Sequence, residues 1–316
     1  MSEKKVIAVV GATGAQGGGL VRAIAADDSS EFAARAITRD PGSEKGQALA
    51  DMGVEVVQAD LDDRASLERA FAGSHGVFGV TNFWEHFSPD KEIEQAGNIA
   101  EAAQAAGAKH VIWSTLEDVR EWVPLDDDRM PTLNERWKVP HFDGKGEADK
   151  EFTGRGLPVT LLRTSFYWEN MIYFGMGPQR GEDGVLAITF PLGDSRLASM
   201  AAEDIGKTAY AIFRAGDEYI GKTVSIAGEH VTGAGMAASL SKALGEEVRY
   251  NAVTHEAYRG FGFPGADDLG NMFQMNAEFE AECCGPRDLE ATRRLNPELK
   301  NFDMWLAENK SRIPVE

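Results

Sequence analysis

A short valine-rich run, Val6–Val10, leads straight into glycines at 11, 14 and 17, and helical spacing follows at once. This strand, tight turn and helix predict a βα unit whose free backbone N–H groups and positive helix end meet an anion. The pattern then repeats. Val6–Val10, Ala34–Thr38, Val54–Ala59, Val77–Thr81, Val111–Ser114 and Val159–Arg163 read as buried parallel strands. Candidate helices lie between them at Gly17–Ala26, Glu44–Met52, Ala65–Ala72, Lys91–Ala106 and Phe142–Thr153. Strict alternation implies right-handed crossovers and an α/β fold, a Rossmann-like doubly wound parallel sheet with helices on both faces.

The rhythm breaks after Arg163 into Phe166, Tyr167 and Trp168 and then a glycine-rich stretch. We therefore expect a dinucleotide-binding domain over residues 1–164, its sheet completed by residues 203–228, and a smaller C-terminal α/β domain over 165–316 that forms the cleft and a partner surface. Helices are expected near Glu203 and after Thr232 as N-cap, with strands at Thr223–Ala227 and Val248–Val253. Leu116–Pro140 lacks periodicity and reads as a long loop, functional or mobile.

The glycine turn places Gly11, Thr13, Gly14, Gln16 and Gly17 against a dinucleotide, although glycines also end strands for packing reasons alone. Arg39 follows the second strand about 20 residues on, where the adenosine ribose is expected. A guanidinium there suits a 2′-phosphate, so NADP(H) is preferred over NAD(H), with Lys45 adding charge. The competing view gives Asp40 the ribose and makes Arg39 a solvated cap. Asp60 and Leu61 end the third strand and suit the adenine; Asp60 reads equally as an N-cap. Thr81, Asn82 and Phe83 end the fourth strand on the nicotinamide side, or form a plain turn.

Together with residues 11–17, the pair Thr38 and Arg39, Val80 to Asn82, the string His141 to Glu147 and the segment Gly262 to Ala266 resemble the NmrA-like branch of the atypical short-chain dehydrogenases. The HSCARG type of NADPH-sensing protein is the nearest pattern, and the resemblance runs almost end to end. It implies a Rossmann domain with a smaller C-terminal domain, NADP(H) in the crevice, and a redox-sensing role exerted through protein partners.

Active short-chain dehydrogenases pair a tyrosine with a lysine four residues later, and the matching positions here are His141 and Lys145. They share one helix face. The usual proton donor is missing, which argues against efficient carbonyl reduction; by the resemblance, Lys145 holds the nicotinamide ribose. The bland alternative makes both ordinary first-turn residues of a surface helix behind Pro140. Ser114 stands where the dehydrogenase serine would polarise a carbonyl, or caps backbone. The resemblance also implies that Tyr167 and Asn170 line the nicotinamide pocket.

Thirty-two Lys plus Arg against 51 Asp plus Glu leave a net charge of −19, which disfavours nucleic acid and anionic membranes as direct partners. The adjacent Cys283 and Cys284 form neither a disulfide framework nor a metal clamp, and no other metal motif is present. A cytoplasmic protein is expected, and a homodimer is one option on general grounds while the sequence itself names no oligomeric state. The apolar string Phe261, Phe263, Met272, Phe273 and Met275 is expected mainly in the core. Two functions remain open. One is an NADP(H)-binding regulator or redox sensor acting on a protein partner, with weak or no dehydrogenase activity. The other is an NADPH-dependent reductase of quinones or similar small electrophiles that uses Lys145.

Overall fold

The computed structural model describes residues 4–315. It forms two compact units: Met1–Asp118, His141–Thr164 and Glu203–Val224 make the first, and Val119–Pro140, Ser165–Ala202 and Ser225–Glu316 the second.

In the first unit, strands and helices alternate as β1 (Lys5–Val9), α1 (Ala15–Ala26), β2 (Phe32–Thr38), α2 (Glu44–Asp51), β3 (Glu55–Gln58), α3 (Arg64–Phe71), β4 (Gly76–Gly79), α4 (Pro89–Ala105), β5 (His110–Thr115), α5 (Pro140–Thr153) and β6 (Val159–Arg163). The sheet order is Thr223–Ser225, β6, β5, β4, β1, β2, β3. Pairings among β1 to β6 are all parallel. The order reverses between β1 and β4, which is the switch point where open α/β sheets collect ligands. Ile7, Ala8 and Val9 are fully buried, as are Val111, Ile112 and Trp113 in β5, so the strands read as continuous apolar runs because helices cover both faces.

Helix Ala202–Arg214 lies against α1 almost backbone to backbone: a Cβ on Gly206 would fall 2.1 Å from Leu20 N, and one on Gly19 would fall 2.7 Å from Glu203 O. Tyr210 Oη donates to Asp27 Oδ2 at 2.7 Å and holds the far ends together.

The second unit contains two three-stranded sheets. In one, Arg196–Met200 sits between Glu229–Thr232 and Phe166–Tyr167. In the other, Leu186–Phe190 sits between Val248–Ala252 and Gln179–Arg180. Helix Gly233–Leu244 starts behind Thr232, whose hydroxyl accepts from Gly235 N as expected of that N-cap. The core includes Trp168, Phe302 and Trp305, with the last two stacked at 5.9 Å.

Residues 119–140, read from sequence as a loop, are built into this unit. Val119, Val123, Met130, Trp137 and Val139 are buried. Asn271 Nδ2 donates to Pro131 O and Lys138 O, Gln274 Nε2 donates to Arg129 O, and the buried Lys138 ammonium donates to Asp127 O and Met130 O. Side chain to backbone bonds of this kind have no period, which is why the sequence pattern missed them. The apolar string divides: Met272, Phe273 and Met275 are core, while Phe261 and Phe263 are exposed. No described helix is long and apolar enough to cross a membrane.

Candidate functional site

The glycine turn leaves β1 with Gly11 at φ +64°, a left-handed conformation that favours glycine. Gly14 N donates to Gly11 O at 2.9 Å and closes the turn. Gly17 faces the same turn from the first helical turn, where a Cβ would stand 2.6 Å from both Gly11 O and Val10 O. The N-cap of α1 is Gly14 with no side-chain hydrogen bond, and no acid lies in the first turn. The helix therefore presents bare N–H groups and a positive end at the switch point, which suits a pyrophosphate. Thr13 and Gln16 flank this cradle, half-buried.

Arg39 follows β2 and is mostly exposed. Its Nη2 donates to Glu85 Oε1 at 2.5 Å, and this bond, with the charges of Glu85, Asp60 and Asp62, holds the guanidinium above its ordinary pKa. Lys45 is exposed in the first turn of α2. Asp60 is not the cap of α3. Asp63 accepts from Ser66 N in that role, because the helix starts at Arg64, while Asp60 Oδ1 accepts from Asp62 N. Leu61 packs half-buried on the core, and its carbonyl accepts from Asn98.

Asn82 is exposed and leads into the single turn Phe83–Glu85, in which Phe83 is buried. Thr81 is buried, and its Oγ1 and carbonyl accept from Lys145 Nζ at 2.8 and 3.2 Å. The ammonium also lies 3.0 Å from Oε2 of Glu92, a fully buried carboxylate at the start of α4. That contact is an ion pair off the hydrogen-bond direction, and neither Glu92 oxygen makes a hydrogen bond. Thr81 thus takes two of the ammonium's hydrogen-bonding directions, and Glu92 supplies the opposing charge beside it.

His141 and Lys145 are both buried, which removes the surface-helix reading. His141 packs among Trp84, Phe83 and Phe142, with ring centroids 4.9, 5.9 and 4.8 Å away. Glycines on either side of Lys145 bring α5 in close. A Cβ on Gly144 would meet Pro89 at 3.0 Å, and one on Gly146 would meet Asp118 N at 2.6 Å. Two glycines inside a helix forgo about 1 kcal/mol each relative to alanine. What they permit is the approach that lets Lys145 reach both Glu92 and Thr81.

Ser114 is buried, and its Oγ donates to Gln16 Oε1 at 2.7 Å, tying the end of β5 to the glycine turn instead of capping backbone. One turn beyond Lys145, Asp149 Oδ1 accepts from Thr115 Oγ1 at 2.6 Å and Trp113 Nε1 at 3.0 Å. Burial pushes this carboxyl up to about 7, against the pull of those bonds and of the Arg163 charge.

The ends of β1, β2, β3, β4 and β5 thus bring together Gly11 to Gly17, Arg39, Asp60, Thr81, Asn82, Ser114, His141 and Lys145. Tyr167 and Asn170 belong to the second unit. Tyr167 pairs with Met200 in a parallel ladder, and Asn170 opens the short helix Asn170–Tyr173. Glu85, Glu92 and Asp149 were not anticipated. Glu92 did leave a trace in the sequence: it falls on the buried stripe of α4 with Ala96, Ile99 and Ala103, where an acid needs a partner. Glu85 left none, because its partner is 46 residues away.

Known proteins resemble this chain along most of its length. The model of the NmrA-like family matches residues 3–306. Among relatives, the NmrA-like family domain-containing oxidoreductase FrzB of Cladobotryum sp is 27% identical over 305 residues, which is 90% of this chain and 88% of that protein. Quinone oxidoreductase 2 of Escherichia coli (strain K12) is 30% identical over 274 residues, 84% of this chain and 85% of the relative. Among solved structures, NmrA, a negative transcriptional regulator, in complex with NADP superimposes with a TM-score of 0.78 at 23% identity, covering 97% of this chain and 95% of that one. With a family match across nearly its whole length and a Rossmann-like sheet carrying a glycine cradle, the chain belongs to the NmrA-like family.

Proposed function

We propose that this chain is an NADP(H)-binding regulator of the HSCARG-like, NADPH-sensing type, which works in the cytoplasm through a protein partner and is at most a weak dehydrogenase. The observation that carries this reading is the pairing of a complete phosphate cradle with a tyrosine position filled by a buried histidine. Gly17 leaves room that a Cβ would close, and bare N–H groups of α1 meet the pyrophosphate. Arg39 supplies a planar fork of donors to the 2′-phosphate, so NADP(H) is preferred over NAD(H). Lys145, fixed by Thr81 and Glu92, holds the nicotinamide ribose. When bound, the reduced cofactor supplies a hydride. His141, packed among aromatic rings, stands where active short-chain dehydrogenases carry the tyrosine hydroxyl that donates the proton a simple ketone needs. A sensor further requires that the two cofactor forms stabilise different conformers, since equal binding shifts nothing.

A second reading is favoured by the quinone oxidoreductase relative: an NADPH-dependent reductase of quinones or other small electrophiles. Such acceptors demand less of a protein acid, and Lys145 is in place to orient the ribose. One experiment tests the cofactor preference that both readings share, and a second separates them. Titration with NADPH, NADP⁺, NADH and NAD⁺ followed by tryptophan fluorescence is expected to give tighter binding of the phosphorylated forms, lost in Arg39→Glu. Equal weak binding of all four overturns the sensor reading. Steady NADPH consumption with a quinone panel, abolished in Lys145→Ala even at saturating NADPH, selects the reductase.

A further inference from the structure

Arg39 is not a vacant receptor for phosphate. Glu85 reaches its guanidinium from the Phe83–Glu85 turn at 2.5 Å. The surroundings add negative charge, because Asp60 and Asp62 both act on Arg39. Asp62 is itself drawn away toward Lys91 Nζ at 2.9 Å and Gln95 Nε2 at 2.9 Å, so Glu85 is the acid that holds the fork.

We propose that Glu85 determines cofactor specificity as a latch on Arg39 that only a 2′-phosphate displaces. This rests on the NADP(H) reading above and adds to it the residue against which the phosphate competes. A 2′-phosphate brings about −1.5 to −2 charges and three acceptor oxygens, and it cannot share one guanidinium with a carboxylate at 2.5 Å without strong like-charge repulsion. NAD(H) has only ribose hydroxyls at this place and leaves the pair closed. Both partners are substantially exposed, with side chains 66% and 47% accessible, so the latch is weak enough for a bound dinucleotide to open.

The consequence reaches the nicotinamide side through a single turn. Glu85 ends the turn that begins after Thr81 and Asn82, and that turn carries Trp84, whose ring lies 4.9 Å from His141. Releasing Glu85 removes the polar tether at the end of this turn, which the buried Phe83 still anchors, while NAD(H) binding leaves that tether in place. Two cofactors that differ only by the 2′-phosphate therefore leave Glu85 in different states, which separates NADP(H) from NAD(H) and leaves the oxidised and reduced forms to be told apart at the nicotinamide.

The test is calorimetric titration of wild type, Glu85→Gln, Arg39→Gln and the double variant with NADPH and with NADH, all at one ionic strength. Glu85→Gln is expected to tighten NADPH about three- to tenfold and to leave NADH within about twofold, the size set by an exposed ion pair. In the Arg39→Gln background the same change has a smaller effect, so the two substitutions are non-additive. NADPH is also expected to change tryptophan emission through a component that Trp84→Phe removes, and NADH is not. If wild type binds NADPH but Glu85→Gln moves both cofactors alike or neither, the latch is overturned while the cofactor reading stands. If wild type binds no dinucleotide, both are overturned.

Discussion

Lys145 Nζ lies 3.0 Å from Glu92 Oε2 inside the first unit, an ammonium and a carboxylate both withdrawn from water. Removing one partner of such a pair leaves an uncompensated buried charge, which costs more than the pair itself contributes. Glu92→Ala is expected to destabilise the chain by about 3–5 kcal/mol, and Lys145→Met by a similar amount. The double change Glu92→Gln with Lys145→Met is expected to recover most of the loss. Urea unfolding midpoints check this, and two small, additive effects would contradict it.

Asp149 and His110 set opposite pH dependences. Unfolded, an aspartate ionises near about 3.9, but burial holds Asp149 up to about 7. Between those values the native chain keeps a proton that the unfolded chain has released. The stability contribution of Asp149 is therefore lost as pH rises through that window, and it is level above it. His110 is lowered to about 4 by burial, and its Nε2 lies 2.8 Å from Thr160 Oγ1. Unfolded histidine takes its proton near about 6.5, so the His110 contribution is lost as pH falls from there toward 4.

Asp149→Asn keeps an acceptor for Thr115 and Trp113 and removes the titration. It is expected to be more stable than wild type at pH 8, by on the order of 1–3 kcal/mol given the partial exposure of the residue. Below pH 6.5 it is expected to lose stability on acidification more steeply than wild type, because the His110 slope is then unopposed. Unfolding at pH 5, 6.5 and 8 measures both arms. Parallel curves for the two proteins would sink this assignment.

Gly146→Ala tests why α5 carries glycines around its lysine. Helix propensity alone favours alanine by about 1 kcal/mol. The 2.6 Å approach of the added Cβ to Asp118 N reverses the sign. A net loss of about 1–3 kcal/mol is expected. Weaker cofactor binding should accompany it, since moving α5 outward takes Lys145 from Thr81. A stabilised variant with unchanged binding would show that the close approach is relaxed at no cost.

Much of the sheet was readable from the sequence because buried parallel strands write their position in unbroken valine and isoleucine runs; β6 falls on Val159–Arg163 as read. The Thr232 cap was readable for a similarly local reason. On α5, the spacing of His141, Lys145, Ala148 and Phe152 marks one face, and all four are buried. That face could have been recognised as interior from the apolar residues it includes. The partners of the site residues were not readable. Arg39 with Glu85, Lys145 with Glu92, and Ser114 with Gln16 join residues 46, 53 and 98 positions apart, and no local pattern encodes which acid or amide the fold delivers. Leu116–Pro140 holds no regular element before α5 beyond the turn Val119–Glu121, as read, but its packing was not readable, since it comes from Asn271 and Gln274 far along the chain.

In the proposed function the glycine cradle and Arg39 together hold an adenylate bearing a 2′-phosphate. Calorimetric titration with adenosine 2′,5′-bisphosphate and with adenosine 5′-monophosphate tests it without the nicotinamide half. Binding at least about tenfold tighter is expected for the bisphosphate, a difference of about 1.4 kcal/mol. Such a preference is also expected to vanish in Arg39→Glu, and both ligands to be lost in Gly17→Ala. Equal affinity for the two nucleotides in wild type, or no binding of either, would contradict it.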